Sequence, residues 1–252
     1  MKEIWRDDFL GFSIGAFPYD PDHSAMGEYH YYPAQGYQGG WYDPITGSSY
    51  RGPSWIITEQ DGKHYMEQMR LSEPGEHVSC PTLVAGDKDW KDYRVSVQMR
   101  RLSLQEPAGI LVRYQTSLMH YAVWMYQQKV QLVQVCKAEQ KILCEAECAF
   151  DCEQFYTLEV ELQGEQILVR INGQEMLWTH DASYSWGSIA LASYMPAQYT
   201  DVSVSMKEEE IERLAQERAE TGVRLAKKRA RYPQPRLWKV IDLSNFGAGR
   251  QI

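Results

Sequence analysis

Short runs of alternating apolar and polar residues recur along the chain from residue 93 onward. Apolar side chains take every second position in the runs that start at Tyr93, Ile110, Tyr121 and Tyr156. Alternation with period two predicts strands with one buried face. Asn172-Gly173 ends another run and is a strong hairpin signal. Many short strands separated by turns predict a sandwich or barrel. The predicted strands are 3–10, 93–99, 109–114, 121–126, 130–135, 156–162, 167–171, 189–194 and 200–205.

The pattern changes at Met206, after which residues 207–231 are highly charged. Glutamates come first and lysines and arginines last, an order that complements a helix dipole. The helix is interpreted as a solvated linker or, alternatively, as a partner-binding helix. A new apolar run begins at Leu237. We therefore predict a sandwich over 1–205, a charged helical linker over 206–235, and the start of a further, downstream domain over 236–252.

Residues 11–55 form a long segment rich in glycine, proline, tyrosine and tryptophan, without helical periodicity. A long loop within a compact domain is usually functional or disordered, and its many aromatic residues argue against disorder. Trp41 and Trp55 are candidates for an aromatic rim above one sheet. The alternative is a lid that packs its own aromatic side chains.

Charge and cysteine content exclude several classes of function. The net charge is −8, which argues against nucleic acid as a partner, since such binding needs clustered lysine and arginine. Five cysteines are an odd number and lack the spacing of a zinc site, so free thiols are expected. No run approaches the roughly 20 apolar residues of a membrane span, and no membrane partner is expected. The N-terminus has no apolar signal core, which leaves a cytoplasmic location or an extracellular one after removal of a signal.

Three segments resemble concanavalin-A-like jelly rolls over roughly residues 4–205. Ile4-Trp5-Arg6-Asp7-Asp8-Phe9-Leu10-Gly11 is similar to the start of family-sixteen glycoside hydrolases. Asp92 to Tyr114 and Tyr121 to Trp124 resemble 3-keto-disaccharide hydrolase and laminin-G-like domains, and Trp186 to Val204 resembles the closing pair of strands. The resemblance implies an all-β, two-sheet antiparallel jelly-roll sandwich with a C-terminal helical linker. Residues 237–250 faintly resemble the entry to the β-propeller of rhamnogalacturonan lyases.

The same resemblance argues against catalysis. Family-sixteen hydrolases carry an E-x-D-x-x-E strand that supplies two carboxylates, and this sequence has no such motif. The arginine, glutamine, histidine and tyrosine motifs of alginate-lyase jelly rolls are not found either. Glu67 and His120 are the lone catalytic candidates. Each is more simply explained as an ordinary strand residue.

Strand alternation gives a candidate ligand-binding face. If Tyr93, Ile110 and Tyr121 point into the core, the residues between them face outward. That outward set is Arg94, Gln98, Arg113, Trp124, Tyr126 and Tyr194. Flat aromatic rings stack on sugar faces, while arginine and glutamine bind hydroxyl or carboxylate groups. Acidic glycans are the first choice of ligand, because Arg94 and Arg113 could pair with a uronate. The alternative for Arg113 is an ion pair with a strand neighbour.

Three functions remain open at this point. The first is a non-catalytic carbohydrate-recognition module of a larger polysaccharide-acting protein, which binds an oligosaccharide or polysaccharide on the concave sheet. The second is a glycoside hydrolase or polysaccharide lyase with a non-standard site on that face. The third is a structural domain that docks a neighbouring domain. The fold alone does not choose between them, since it hosts lectins, hydrolases and lyases.

A structural calcium ion is a further implication of the resemblance. In family-sixteen jelly rolls, the acidic start and the aspartate of the last strand meet and bind one cation. The matching positions here are Asp8 and Asp201. Calcium takes six to eight oxygens, so carbonyl groups and waters would have to complete the shell. The alternative is that both are solvated strand-end residues.

Overall fold

The computed structural model describes residues 1–17, 37–38, 40–44, 54–70, 80–137 and 139–231. Seventeen strands and one helix are found within these ranges. In chain order they are β1 (Lys2–Asp7), β2 (Gly15–Phe17), β3 (Tyr37–Gln38), β4 (Trp41–Tyr42), β5 (Trp55–Gln60), β6 (Lys63–Gln68), β7 (Thr82–Ala85), β8 (Arg94–Arg101), β9 (Ala108–Thr116), β10 (Met119–Tyr126), β11 (Lys129–Cys136), β12 (Glu139–Glu147), β13 (Tyr156–Gln163), β14 (Gln166–Ile171), β15 (Gln174–His180), β16 (Ser188–Ser193), β17 (Ala197–Met206) and α1 (Glu208–Arg231).

The strands form two antiparallel sheets, as the alternation predicts. The first sheet has the order β15-β14-β13-β8-β17-β6-β5-β2, with β1 also paired to β17. The second has the order β12-β11-β10-β9-β16-β7-β4-β3. All strand pairs among the described residues are antiparallel, and several join strands far apart in the chain. The predicted all-β sandwich with a C-terminal helix is confirmed.

Alternation along the strands separates the core from the outer faces. Tyr121, Val123 and Met125 of β10 join the main core between the sheets, whereas Ala122 and Trp124 join a separate apolar cluster. Because successive side chains of a strand point to opposite faces, the second cluster lies on the outer side of the second sheet. The predicted hairpin at Asn172-Gly173 is also present. Both residues have positive φ, at 51° and 80°, as a type I′ turn requires.

Helix α1 contacts the sandwich through its first half. Glu208, Glu209 and Glu210 occupy the first turn, where carboxylates interact favourably with the helix dipole. Leu214 is buried in the main core. Lys91 donates to Glu217 at 3.1 Å, which fixes this half of the helix to the loop before β8.

The predicted partition into domains stays a prediction. The second half of α1 is exposed, including Val223 and Leu225. Residues 236–252, and with them the expected start of a further domain, lie outside the described residues. Most of the aromatic segment 11–55 lies outside them as well. In the part of the chain that is described, no helix combines the length and apolar character needed to cross a membrane.

Candidate functional site

The outer side of the second sheet is apolar, unlike an ordinary solvent-facing sheet. Its floor is made of small and aliphatic side chains: Val84, Leu111, Ala122, Val133, Val135, Ala190 and Ala192. Aromatic side chains stand around this floor: Tyr42, Tyr114, Trp124, Tyr126 and Tyr194. We call this surface the outer aromatic face. The floor is covered, since its members are at most 7% exposed, and the side chains of the face that partly reach the surface include Tyr42, Tyr126 and Tyr194.

Close approach of two strands keeps the middle of this face shallow. Gly109 of β9 pairs with Trp124 of β10. A β-carbon added to Gly109 would lie 1.9 Å from the carbonyl oxygen of Val123. Any larger residue would therefore push β9 and β10 apart. The absence of a side chain at this point leaves the Trp124 ring without a bulky neighbour in the adjacent strand.

Aromatic, polar and acidic residues lie side by side across the edge strands of the face. Register pairs Trp124 with Gln131, and Gln131 with Glu145. A parallel row pairs Tyr126 with Lys129, and Lys129 with Glu147. Paired residues of neighbouring strands point to the same side of a sheet. These six residues, which we call the edge ladder, therefore share one face: Trp124, Gln131, Glu145, Tyr126, Lys129 and Glu147.

Hydrogen bonds preorganise the polar groups of the edge ladder. Lys129 Nζ donates to Glu145 Oε1 at 2.6 Å and lies 3.6 Å from Glu147. Gln131 Nε2 donates to the other oxygen of Glu145 at 2.7 Å. Both hydrogen bonds lower the pKa of Glu145, and the bond from Lys129 has the larger effect. The carboxylate is consequently ionised at neutral pH and retains acceptor capacity for a further donor.

A further ring, that of Tyr194, lies beside Trp124 of the ladder. The Trp124 and Tyr194 rings are tilted, with centroids 6.0 Å apart. Trp124 is 6% exposed, while Tyr126 and Tyr194 are half-buried. Burial raises the pKa of Tyr194 to about 12, and the charge of nearby Glu106 acts in the same direction. Its phenol is therefore neutral at physiological pH and can both donate and accept.

The opposite end of the face holds His120. Its ring stacks on Tyr114 with centroids 5.6 Å apart, and Nδ1 lies 3.1 Å from the carbonyl oxygen of Thr116. A carbonyl can only accept, so Nδ1 carries a proton and Nε2 of the neutral ring holds a lone pair. Burial lowers the pKa of His120, which favours that neutral form.

The predicted outward set does not share one face. Trp124, Tyr126 and Tyr194 lie on the outer aromatic face, as just described. Arg94 and Gln98 belong to β8 and therefore to the first sheet. Arg94 donates to Glu161 at 2.8 Å on the opposite side of the sandwich. Alternation shows which residues point outward but not which sheet carries them, and this explains the error.

Arg113 is buried, at 1% exposure, and does not face a ligand. Its guanidinium donates to the carbonyl oxygens of Tyr184 at 2.8 Å and Gly164 at 2.7 Å, and also reaches the carbonyl of Lys91. The residue has φ of 45°, and the register of β9 shifts at this point. A bulge interrupts the alternation on which its outward placement depended. The carboxylate nearest to it is Asp92, at 3.4 Å.

Trp41 and Trp55 are fully buried, which corrects their placement as a rim. Trp41 Nε1 donates to Asp7 Oδ2 at 2.7 Å, and its ring packs against Trp5 and Phe9 in the core. Trp55 faces Tyr199 with ring centroids 5.9 Å apart. Both indoles therefore pack inside the sandwich and not at its rim.

The two catalytic candidates are on opposite sheets. Glu67 lies on β6 of the first sheet and accepts hydrogen bonds from Thr58 at 3.1 Å and Gln198 at 2.8 Å. His120 lies on β10 of the second sheet. They therefore do not form an acid and base pair. General acid–base catalysis needs both groups within reach of one substrate.

The register of β1 and β17 brings Asp8 and Asp201 to the same edge, since Asp7 pairs with Val202. Their carboxylates already have partners. Arg6 donates to Asp201 at 3.1 Å, and Asp8 accepts the backbone N–H of Leu10. Within the described ranges, no group of three or more histidine, cysteine or acidic residues forms a cation site. These donors alone do not fit a calcium ion, so the predicted ion would need to displace Arg6.

Sequence reasoning missed the polar half of the edge ladder. The sequence did contain a signal for the apolar part of the face. Ala122, Ala190 and Ala192 are small apolar residues at outward positions of β10 and β16. Outward alanine in place of the usual polar residues indicates an apolar outer face. Gln131, Lys129 and Glu145 join that face through strand pairing alone, which the sequence does not reveal.

Similar solved structures place this architecture among known folds. The sequence matches no family model and no curated protein. Its structure is similar to that of a carbohydrate-binding module, CBM66 from Bacillus subtilis, with a TM-score of 0.51 and 12% identity over 66% of this chain and 96% of that one. It is also similar to SCLam, a non-specific endo-beta-1,3(4)-glucanase from family GH16, with a TM-score of 0.53 and 15% identity over 82% and 91% of the two chains.

The chain has the concanavalin-A-like jelly-roll fold. At these identities the likeness establishes the fold and leaves function to the residues. The edge ladder and the rings around it are the features of this jelly roll that carry functional information.

Proposed function

We propose that this jelly roll is a carbohydrate-recognition domain that binds an oligosaccharide or polysaccharide on its outer aromatic face. The observation that carries the proposal is the edge ladder. There, the partly exposed ring of Tyr126 lies on the same face as the amide of Gln131 and the carboxylate of Glu145. Aromatic rings stack on the C–H faces of sugars, and polar groups beside them select hydroxyls. The likeness to a carbohydrate-binding module and a glucanase supports a sugar ligand.

The polar groups suit hydroxyl recognition in both directions. The Glu145 carboxylate accepts and the Lys129 ammonium donates. Because Lys129 and Gln131 already hold Glu145 in place, a sugar meets an ordered acceptor rather than a mobile one. Such preorganisation lowers the entropic cost of binding.

Isothermal titration with a panel of soluble polysaccharides tests the proposal. We expect weak binding of at least one glycan and a loss of about tenfold or more in Tyr126→Ala, equal to about 1.4 kcal/mol. Tyr126 is half-exposed, so its removal leaves the core intact. Trp124→Ala is a second variant with the same expected direction, and circular dichroism checks its fold.

Trp178→Ala is the matched control. This indole is 60% exposed on β15, an edge strand of the first sheet, and faces away from the ladder. The control should bind like the parent. Binding that is lost in Trp178→Ala and kept in Tyr126→Ala would place the sugar site on the other sheet and contradict the proposal.

Docking of a neighbouring domain is a second function that one observation favours. Ala122, Ala190 and Ala192 of the outer aromatic face are fully buried or nearly so. A sheet face that its own domain covers leaves less room for a sugar and is compatible with a structural sandwich. Failure of every glycan to bind, together with strong loss of stability when the face is made polar, is the result this alternative predicts.

A further inference from the structure

Acidic groups border the outer aromatic face at the edge ladder. Glu145 and Glu147 belong to the ladder on β12, and both residues are exposed. The charge of Glu106 also acts on Tyr194, where it adds to the rise in pKa that burial causes. Carboxylates therefore lie on the side of the face where Tyr126 is partly exposed.

In the described part of this face, the positive charge of Lys129 is already neutralised. Lys129 lies between Glu145 and Glu147, at 2.6 and 3.6 Å from their oxygens. The cation–π contacts among the described residues join Arg100 to Phe155 and Arg101 to Phe150. Neither ring belongs to the outer aromatic face.

The two arginines that favoured a uronate in the sequence are not available to this face. Arg94 pairs with Glu161 on the first sheet. Arg113 is buried against backbone carbonyl groups. Recognition of a sugar carboxylate ordinarily uses an arginine fork or a free lysine, and like charges brought together without one repel each other.

We propose that the glycan bound here is neutral, without carboxylate or sulfate groups. This inference rests on the proposed sugar-binding function and names the ligand class of that site. A neutral sugar offers hydroxyl donors to Glu145 and an apolar C–H face to Tyr126. An acidic sugar would bring a further negative charge beside Glu145 and Glu147 and, among the described residues of this face, would meet no unpaired cation in return.

The test is a comparison of two sets of polymers by affinity electrophoresis and isothermal titration. The neutral set is mixed-linkage β-glucan, arabinoxylan and levan, and the acidic set is polygalacturonate and alginate. We expect at least one neutral polymer to bind at least about tenfold more tightly than either acidic one. Because no ion pair forms with a neutral ligand, its affinity should change by less than about twofold between low and physiological salt.

A charge variant isolates the cause. The double variant Glu145→Gln, Glu147→Gln removes two negative charges from the ladder. It should reduce the ratio between the affinities for neutral and for acidic polymers by about threefold or more. Glu165→Gln with Glu175→Gln makes the same change in net charge at exposed positions near β14 and β15. If this control reduces the affinity ratio equally, the net charge of the protein causes the preference, and the explanation from the local charges of the ladder is overturned.

The outcomes separate the inference from the function beneath it. Tighter binding of polygalacturonate or alginate that weakens with salt would overturn the neutral class while leaving sugar binding in place. Binding to no polymer of either set would overturn sugar binding itself, and the inference with it.

Discussion

The outer faces of the two sheets differ sharply, although both belong to one sandwich. The first carries chains of polar contacts, such as Arg94 to Glu161 at 2.8 Å and Arg170 to the same carboxylate at 3.0 Å. The second carries Ala122, Ala190 and tyrosine or tryptophan rings. Alternating polar residues are sufficient for a face whose neighbour is water. The second face is instead a packed apolar layer with a buried floor, and its partly exposed tyrosines and the polar residues of the edge ladder are what reaches solvent.

Charge inserted into each face should give the largest difference between them. Ala190 is buried among apolar neighbours, so Ala190→Lys should lower the free energy of unfolding by about 2–3 kcal/mol, because the lysine must be desolvated or displace its neighbours. Ser96 occupies an outward position of β8 beside Glu159, and Ser96→Lys should change it by less than about 0.5 kcal/mol. Urea denaturation measures both. Equal losses of unfolding free energy in the two variants would show that both faces tolerate a lysine equally well.

The pH dependence of stability tests the second face at His120 of β10. Burial lowers the pKa of the folded histidine below its unfolded value of about 6.5. Above that pH the ring is neutral in both states, and below it the unfolded chain takes up the proton first. Stability is therefore present above about pH 6.5 and falls as the pH drops toward the folded pKa.

His120→Gln should remove part of this loss. Unfolding free energies at pH 7.5 and 5.5 measure it for the parent, for this variant and for His180→Gln, whose histidine lies exposed on β15. We expect the acid-dependent loss to shrink in His120→Gln and to persist in His180→Gln. A parent-like loss in His120→Gln would show that the buried ring does not resist protonation.

The smallest expected effect concerns the predicted calcium ion beside β1. An ion held by Asp8 and Asp201 would stabilise the folded state by mass action, but it must first displace Arg6. The midpoint of thermal unfolding should therefore rise by only about 1–2 °C when calcium is added. Asp201→Ala should abolish this shift. Unchanged midpoints in the parent would remove the calcium site.

Local patterns predicted nine of the seventeen described strands and missed β2 to β7, β12 and β15. Long-range pairing also escaped them. Asn172-Gly173 specified its turn because only a few residues accept positive φ. Alternation placed Trp124 and Tyr126 outward correctly, but it also grouped them with Arg94, which belongs to the other sheet. The alternation of residues within a strand does not indicate which strands will lie next to it in the sheet. Arg113 failed for a different reason, since a single bulge reverses the direction of every side chain that follows.

Aromatic residues were the other source of error. Tryptophan suits both a wet rim and a packed core, and sequence does not distinguish the two. Trp41 and Trp55 are in the core, where one indole N–H donates to Asp7. The carboxylate that decides the position of Trp41 is 34 residues away in the chain.

The buried guanidinium of Arg113 has a consequence for the order in which the chain folds. It binds carbonyl groups of three separate connections, at Lys91, Gly164 and Tyr184, which lie 22, 51 and 71 residues away. None of these bonds forms until the strands on either side of each connection have met. Closing such distant loops is entropically costly, so this end of the sandwich should assemble late and all at once. One side chain thus makes completion of both sheets a single cooperative event.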